Sequence, residues 1–167
     1  GRLLQTLSGP RKVGVLGLGV GALMTYAQRG DHWVFYEIDP LVVDLAERHF
    51  SFLRAPGAKV EHVLGDGRLS LEREPPRGFD VLAIDAFSGD AVPMHLLTRE
   101  AMAIYAKHIK PDGAIVFQAT NRFVDLMPVI RRLADELGMH TYWVDDEPVL
   151  RKGDFAFGTD QVIVTRN

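Results

Sequence analysis

Short apolar runs alternate with longer stretches in which apolar residues recur every three or four positions. The runs at 12–18 ("KVGVLGL"), 32–38 ("HWVFYEI"), 59–65 ("KVEHVLG") and 79–85 ("FDVLAID") have strand length. Amphipathic stretches follow them: a helix over 20–29, one from Pro40 through Phe50 with proline in its first turn, and a short one in "DGRLSLERE". After a loop, "AFSGDAVPMH", a helix is predicted from Thr98, its N-cap, to Lys107. Pro111-Asp112-Gly113 reads as a turn releasing a fifth strand, "AIVFQAT", and a helix over 124–138 ends at Gly138. "MHTYWVDD" and "DQVIVTR" close the chain as two strands joined by a polar loop, and "GRLLQTLSGPRK" opens it as a short helix. Such alternation predicts one α/β domain over 1–167, a mostly parallel sheet with helices on both faces.

In such sheets ligands bind beyond the carboxyl ends of the strands, where the strand order reverses. The first strand runs into Gly17-Leu18-Gly19-Val20-Gly21-Ala22, a turn whose glycines let backbone approach a ligand. Glu37 follows Gly17 by 37 − 17 = 20 residues, the separation expected of a carboxylate that receives ribose hydroxyls. Asp39-Pro40 reads instead as the N-cap and first position of the next helix. The turn alone does not name the nucleotide. Gly17-x-Gly19-x-x-Ala22 satisfies the dinucleotide fingerprint, and Gly17-x-Gly19-x-Gly21 satisfies the turn of S-adenosylmethionine enzymes.

Two later features favour the second. Asp66, between Gly65 and Gly67, can accept from an adenine amino group while the glycines admit the ring; the competing reading is a helix cap. Asp85 ends the fourth strand beside the first, where a carboxylate faces the reacting end of the ligand; the competing reading is an Asx turn. His95 is read as a proton-transfer group or a plain exposed loop histidine. Trp33, Phe35 and Tyr36 are expected to pack the sheet. Asn121 and Arg122 follow the fifth strand, with Asn121 also placed to cap a helix.

Composition narrows the function classes. Hydrophobic residues make up 47% and charged residues 25%, with net charge −3, so a nucleic-acid partner is not expected. No apolar run is long enough to span a membrane, and no membrane contact is expected from this segment. Without cysteine there is no disulfide or thiolate chemistry, and the cytoplasm is the expected compartment. The six histidines lack metal-ligand spacing, so neither a metal nor a prosthetic group is expected.

Taken in order, the glycine turn, "YEID", "GDG", "FDVLAIDAF" and "HLLTREAMAIYAKHIKPDGAIVFQ" resemble the spermidine synthase family of polyamine aminopropyltransferases. More closely, the chain resembles bacterial spermidine synthase-like proteins with "FYEIDP" and "DAFSGDA". The resemblance covers nearly the whole chain. It implies the Rossmann-like seven-stranded sheet of class I S-adenosylmethionine-dependent methyltransferases, its last strand antiparallel at a reversed edge. It also implies aminopropyl transfer from decarboxylated S-adenosylmethionine to a polyamine such as putrescine. The residues carry over as follows: Gly17, Gly19 and Gly21 for the nucleoside turn, Glu37 for the ribose, Asp66 with Gly67 for the adenine end, and Asp85 for the base. Asp90 and Gln118 fall at the amine.

The departures are specific. Val20 stands where the family carries an aspartate near the amino-alkyl end of the donor, and "DAFSGD" replaces "DSSDP". The N-terminal β-rich segment that contributes to the amine site and to oligomers is missing, as is a match for a tyrosine near the last strands. Methyl transfer from S-adenosylmethionine and a non-catalytic nucleoside-binding module of a larger protein therefore stand as alternatives, with NAD-dependent oxidoreduction a weaker one. A homodimer is compatible with the resemblance. So is tethering of a full-length protein to a membrane, since some bacterial relatives with these motifs are joined to membrane-spanning segments.

Overall fold

A period of two sorts the strand residues onto two faces, and each face has its own helices. In the computed structural model, which describes residues 2–54, 57–86, 93–121, 123–146 and 159–167, the central strands are β1 (Lys12–Leu16), β2 (His32–Glu37) and β4 (Phe79–Ile84). On one face, Val13, Val15, Trp33, Phe35 and Val81 pack with Leu4 of α1 (Arg2–Thr6) and Ala46 of α2 (Pro40–His49). On the other, Leu16, Val34, Tyr36, Leu82 and Ile84 meet three helices, α3 (Gly67–Arg73), α4 (Arg99–His108) and α5 (Met127–Asp135). Burying a side chain of this size stabilises by about 1.5–3 kcal/mol. Slipping a strand by one residue would exchange its two apolar sets between faces, so the pattern also fixes register.

With β3 (Lys59–Leu64), β5 (Ile109–Gln118), β6 (His140–Asp146) and β7 (Thr159–Thr165), the sheet has seven strands in the order β3-β2-β1-β4-β5-β7-β6. β7 is the reversed strand, antiparallel to both β5 and β6. The last strand is thus antiparallel as expected, and the final pair forms that end of the sheet, with β7 inside and β6 at the edge running parallel to β5. No helix among the described residues is long and apolar enough to cross a membrane.

Three elements differ from the sequence reading. The helix expected over 20–29 is only a 3₁₀ helix, Ala22–Tyr26. Tertiary contacts take the groups that would prolong it: the Tyr26 carbonyl accepts from the Arg11 guanidinium, and the Gln28 amide donates to Asp31. The turn at Pro111-Asp112-Gly113 lies inside β5 as an irregularity, where pairing shifts from Phe79↔Ile109 to Val81↔Ala114. A Cβ on Gly113 would lie 2.7 Å from the Phe79 carbonyl oxygen, so this close approach of two backbones requires glycine. Asn121 does not cap α5. Its side-chain oxygen accepts from the amides of Phe123 and Val124, while Asp125 receives the Met127 amide at the helix start.

Arg11 and Asp31 form a buried pair that the sequence reading missed. They are 2% and 1% exposed. The Arg11 guanidinium donates to both carboxylate oxygens of Asp31 and to the carbonyls of Leu4 and Tyr26. Asp31 also receives the Arg11 and Gln28 amides and the Trp33 indole. Burial alone would raise the Asp31 pKa, but these donors, the guanidinium foremost, outweigh it and hold the carboxyl below its ordinary range. One ion pair thus fastens α1 and the end of the glycine-turn segment to the start of β2.

Candidate functional site

β1 lies between β2 and β4, and short backbone bonds tie their carboxyl ends together. The Gly17 amide donates to the Tyr36 carbonyl at 2.8 Å, and Asp85 donates to Leu16 at 2.9 Å. Gly17 has φ +93°, and a Cβ there would lie 2.3 Å from the Asp85 carbonyl oxygen. Only glycine meets both constraints, so the residue that opens the turn is what lets the ends of β1 and β4 touch.

Glu37 ends β2 almost fully buried. Its Oε2 accepts from the Leu18 amide at 2.9 Å and its Oε1 from the Asp39 amide at 3.0 Å. Backbone donors thereby lock the carboxylate in place, and each oxygen keeps a lone pair for a further donor. Asp39 is spent elsewhere: its side chain accepts from the Leu41 amide as the N-cap of α2.

Asp66 divides its two oxygens. Oδ1 accepts from the Leu69 amide at 2.9 Å, capping α3, while Oδ2 lies 3.1 Å from His95 Nε2. Capping α3 therefore occupies only one of the two carboxylate oxygens of a residue that lines a cavity. Gly67 has a packing role as well. A Cβ there would lie 2.6 Å from Leu16 Cγ and 3.1 Å from Tyr36 Cβ, so glycine seats α3 on the sheet.

Asp85 follows β4. The residue is exposed at the rim of two hollows, yet desolvation by the surrounding walls pushes its carboxyl above the ordinary carboxylate range. Its side chain opens onto these hollows, so a ligand can reach it.

One cavity of about 420 Å³ collects Glu37, Asp66 and Asp85 on its wall, with Gly17, Gly19 and Gly67. That volume is in the range of small-molecule sites. His95, Pro93 and Leu96, on and beside a 3₁₀ turn (Met94–Leu96), close another side. Two predicted residues lie elsewhere. Gly21 is not on this wall; a Cβ there would lie 2.8 Å from Leu53 Cδ2, so its part is to seat the glycine turn on the helical face. Gln118 lines a second, larger cavity of about 750 Å³, together with Tyr26, Thr159, Gln161 and apolar side chains of the sheet. Asp85 lines both cavities. Asp90 and Arg122 lie outside the described residues.

Sequence reasoning missed Tyr36, Ile38, Val42 and Ala86 as wall residues. Tyr36 and Ile38 flank Glu37 in sequence, so the acid itself was the signal for them. Gln161 had no motif. Its signal was register, since it pairs with Gln118 across β5 and β7.

No family model matches the chain. It is 31% identical to a polyamine aminopropyltransferase of Vibrio vulnificus (strain CMCP6) over 112 residues, 64% of this chain and 37% of that protein. Putrescine N-methyltransferase 2 of Nicotiana tabacum is 26% identical over 135 residues, 78% of this chain and 38% of the relative. The chain thus spans well under half the length of these curated relatives. Among solved structures, a spermidine synthase in complex with the transition-state analogue AdoDATO superposes with TM-score 0.70 at 19% identity, over 95% of this chain and 55% of the other. A SAM-dependent methyltransferase from Archaeoglobus fulgidus gives TM-score 0.68 at 16% identity, over 98% of this chain and 89% of the other.

The fold is therefore that of the S-adenosylmethionine-dependent methyltransferase class, with its cavity at the strand-order reversal. Within that class, the curated relatives that the chain resembles in sequence are polyamine-related transferases, a polyamine aminopropyltransferase and a putrescine N-methyltransferase.

Proposed function

We propose that the 420 Å³ cavity holds a sulfonium nucleoside and that the chain transfers an aminopropyl group from decarboxylated S-adenosylmethionine to a polyamine such as putrescine. The observation that carries this reading is the convergence of Glu37, Asp66 and Asp85 on one cavity, with Asp85 also reaching the cavity that holds Gln118. In this reading Glu37 receives the ribose hydroxyls, Asp66 the adenine amino group, and Asp85 faces the sulfonium. The nucleoside is a co-substrate, and the chemistry needs no prosthetic group.

The acceptor enters from the larger cavity, and its ammonium docks on Asp85 with Gln118 beside it. Asp85 takes a proton, which frees the nitrogen lone pair. That pair attacks the aminopropyl carbon bonded to sulfur, the C–S bond breaks, and its electrons leave with sulfur. The sulfonium becomes the neutral thioether of methylthioadenosine. Holding nitrogen and carbon in line supplies the larger part of the barrier reduction, about 7–11 kcal/mol in well-oriented systems. Asp90, the family's second amine carboxylate by resemblance, joins this proposal from sequence alone.

A second reading, methyl transfer to an amine, has one observation in its favour: Val20 stands where the family resemblance expects an acid near the amino-alkyl group of the donor. Calorimetry separates the two. Aminopropyl transfer predicts tighter binding of decarboxylated S-adenosylmethionine than of S-adenosylmethionine, with methylthioadenosine released when putrescine is added. Preference for the carboxylated donor would move the assignment to methyl transfer. Nucleoside binding without turnover of any amine would leave a non-catalytic module.

A further inference from the structure

Asp66 and His95 stand together on the cavity wall, yet the reading above uses only the first. The capping bond to Leu69 occupies Asp66 Oδ1, so Oδ2 is the oxygen left for a ligand, and His95 Nε2 lies 3.1 Å from it. An ionised carboxylate only accepts, so His95 Nε2 carries a hydrogen and donates. The wall therefore presents an acceptor and a donor side by side. Adenine presents the complementary pair on adjacent atoms of its Watson–Crick edge, the N6 amino hydrogens and the N1 lone pair. Hypoxanthine reverses it, with an oxygen acceptor at position 6 and a hydrogen on N1.

We infer that His95 is a specificity-determining residue that reads N1 of the purine while Asp66 Oδ2 reads the 6-amino group. The inference rests on the nucleoside reading of this cavity and names a contact that the reading leaves open. The imidazole is about half exposed, at 51%, and so is free to turn from Asp66 towards an incoming base. Its turn is anchored from beneath: the buried Tyr105 hydroxyl donates to the Leu96 carbonyl at 3.2 Å. Pro93 and Leu96 from this turn, with Ile38 and Val42 from beyond β2, give the flat faces of the ring apolar neighbours. Loss of Asp66 alone would remove one contact; loss of His95 would leave a base that is held by its amino group but no longer read at N1.

The test is calorimetric titration of methylthioadenosine and methylthioinosine into the wild-type protein, His95→Ala and His95→Gln. The wild type should prefer the adenosine form by about 10- to 100-fold, the range for a paired donor and acceptor on a base edge. His95→Ala should weaken methylthioadenosine by about three- to tenfold and shrink the preference by the same factor, with methylthioinosine little changed. His95→Gln, which keeps a donor, should recover most of the preference. An unchanged preference in His95→Ala would overturn the role of His95 while the nucleoside reading stands. Failure of the wild type to bind either compound would overturn both.

Discussion

Asp85→Asn should lower turnover by about 10²–10⁴-fold, the usual contribution of a positioned proton acceptor, while nucleoside affinity stays within a few-fold. The amide keeps the shape of the carboxylate but neither takes a proton nor attracts an ammonium. Steady-state release of methylthioadenosine, compared with calorimetric binding of the same nucleoside, reads the two effects apart. Equal loss of binding would mean that Asp85 shapes the cavity instead. Desolvation raises the Asp85 pKa, so activity of the wild type should fall away on the acid side at a higher pH than an ordinary aspartate would give, because the base works only when ionised.

The same shift makes a stability prediction of fixed sign. A carboxyl whose folded-state pKa is raised favours the folded protein below its unfolded pKa, near 3.8, and loses that contribution as pH rises through the folded value. Asp85→Asn should therefore melt slightly above the wild type near neutrality, with the gap closing in acid, because solvent at this exposed residue screens most of the effect. Under the proposed function, such a cost is expected, because stability is commonly traded for activity where a charge is kept for chemistry.

Asp31→Ala should destabilise the fold by about 3–5 kcal/mol, because removing one partner of a buried pair strands the other charge. Arg11 would keep its carbonyl contacts to Leu4 and Tyr26 but lose both carboxylate oxygens. Urea unfolding followed by tryptophan fluorescence measures the loss, and Trp33, whose indole donates to Asp31, reports on the site itself. A change below about 1 kcal/mol would show that the pair behaves like an exposed one. Asp31 is held below its ordinary pKa, so its contribution is present above the unfolded value and lost as pH falls through the folded one.

Much of the fold was legible because its strands are buried on both faces. The 81–84 stretch of β4 is apolar throughout, and a continuous apolar run of this kind can be read without knowing its neighbours. Caps were legible for a related reason. Asp39 and Thr98 accept from amides two and three residues ahead, contacts set by local sequence. What depended on distant partners was not legible. The 3₁₀ helix stops at Tyr26 because Arg11, fifteen positions earlier, takes its carbonyl. Arg11 and Asp31 immediately precede Lys12 and His32, which pair across β1 and β2. Their meeting follows from strand register, but only once the two strands are known to be neighbours.

The site divides in the same way. Glu37, Asp66 and Asp85 were found because each acid follows an apolar run at a strand end, and the sheet brings such ends to one side. The glycines were found by type, yet their reasons differ: Gly17 admits the backbone of Asp85, Gly67 admits Leu16, and Gly21 faces Leu53 away from the cavity. His95 was hard to place because its partner, Asp66, lies 29 residues earlier. Only folding shows that this loop histidine meets the acid of "GDG".

A crystal structure of the protein with methylthioadenosine tests the central claim most directly. The account predicts the ribose hydroxyls on Glu37, the base between Asp66 and the turn of Pro93 to Leu96, and the sulfur directed at Asp85. A nucleoside bound elsewhere, or one touching none of the three acids, would contradict it.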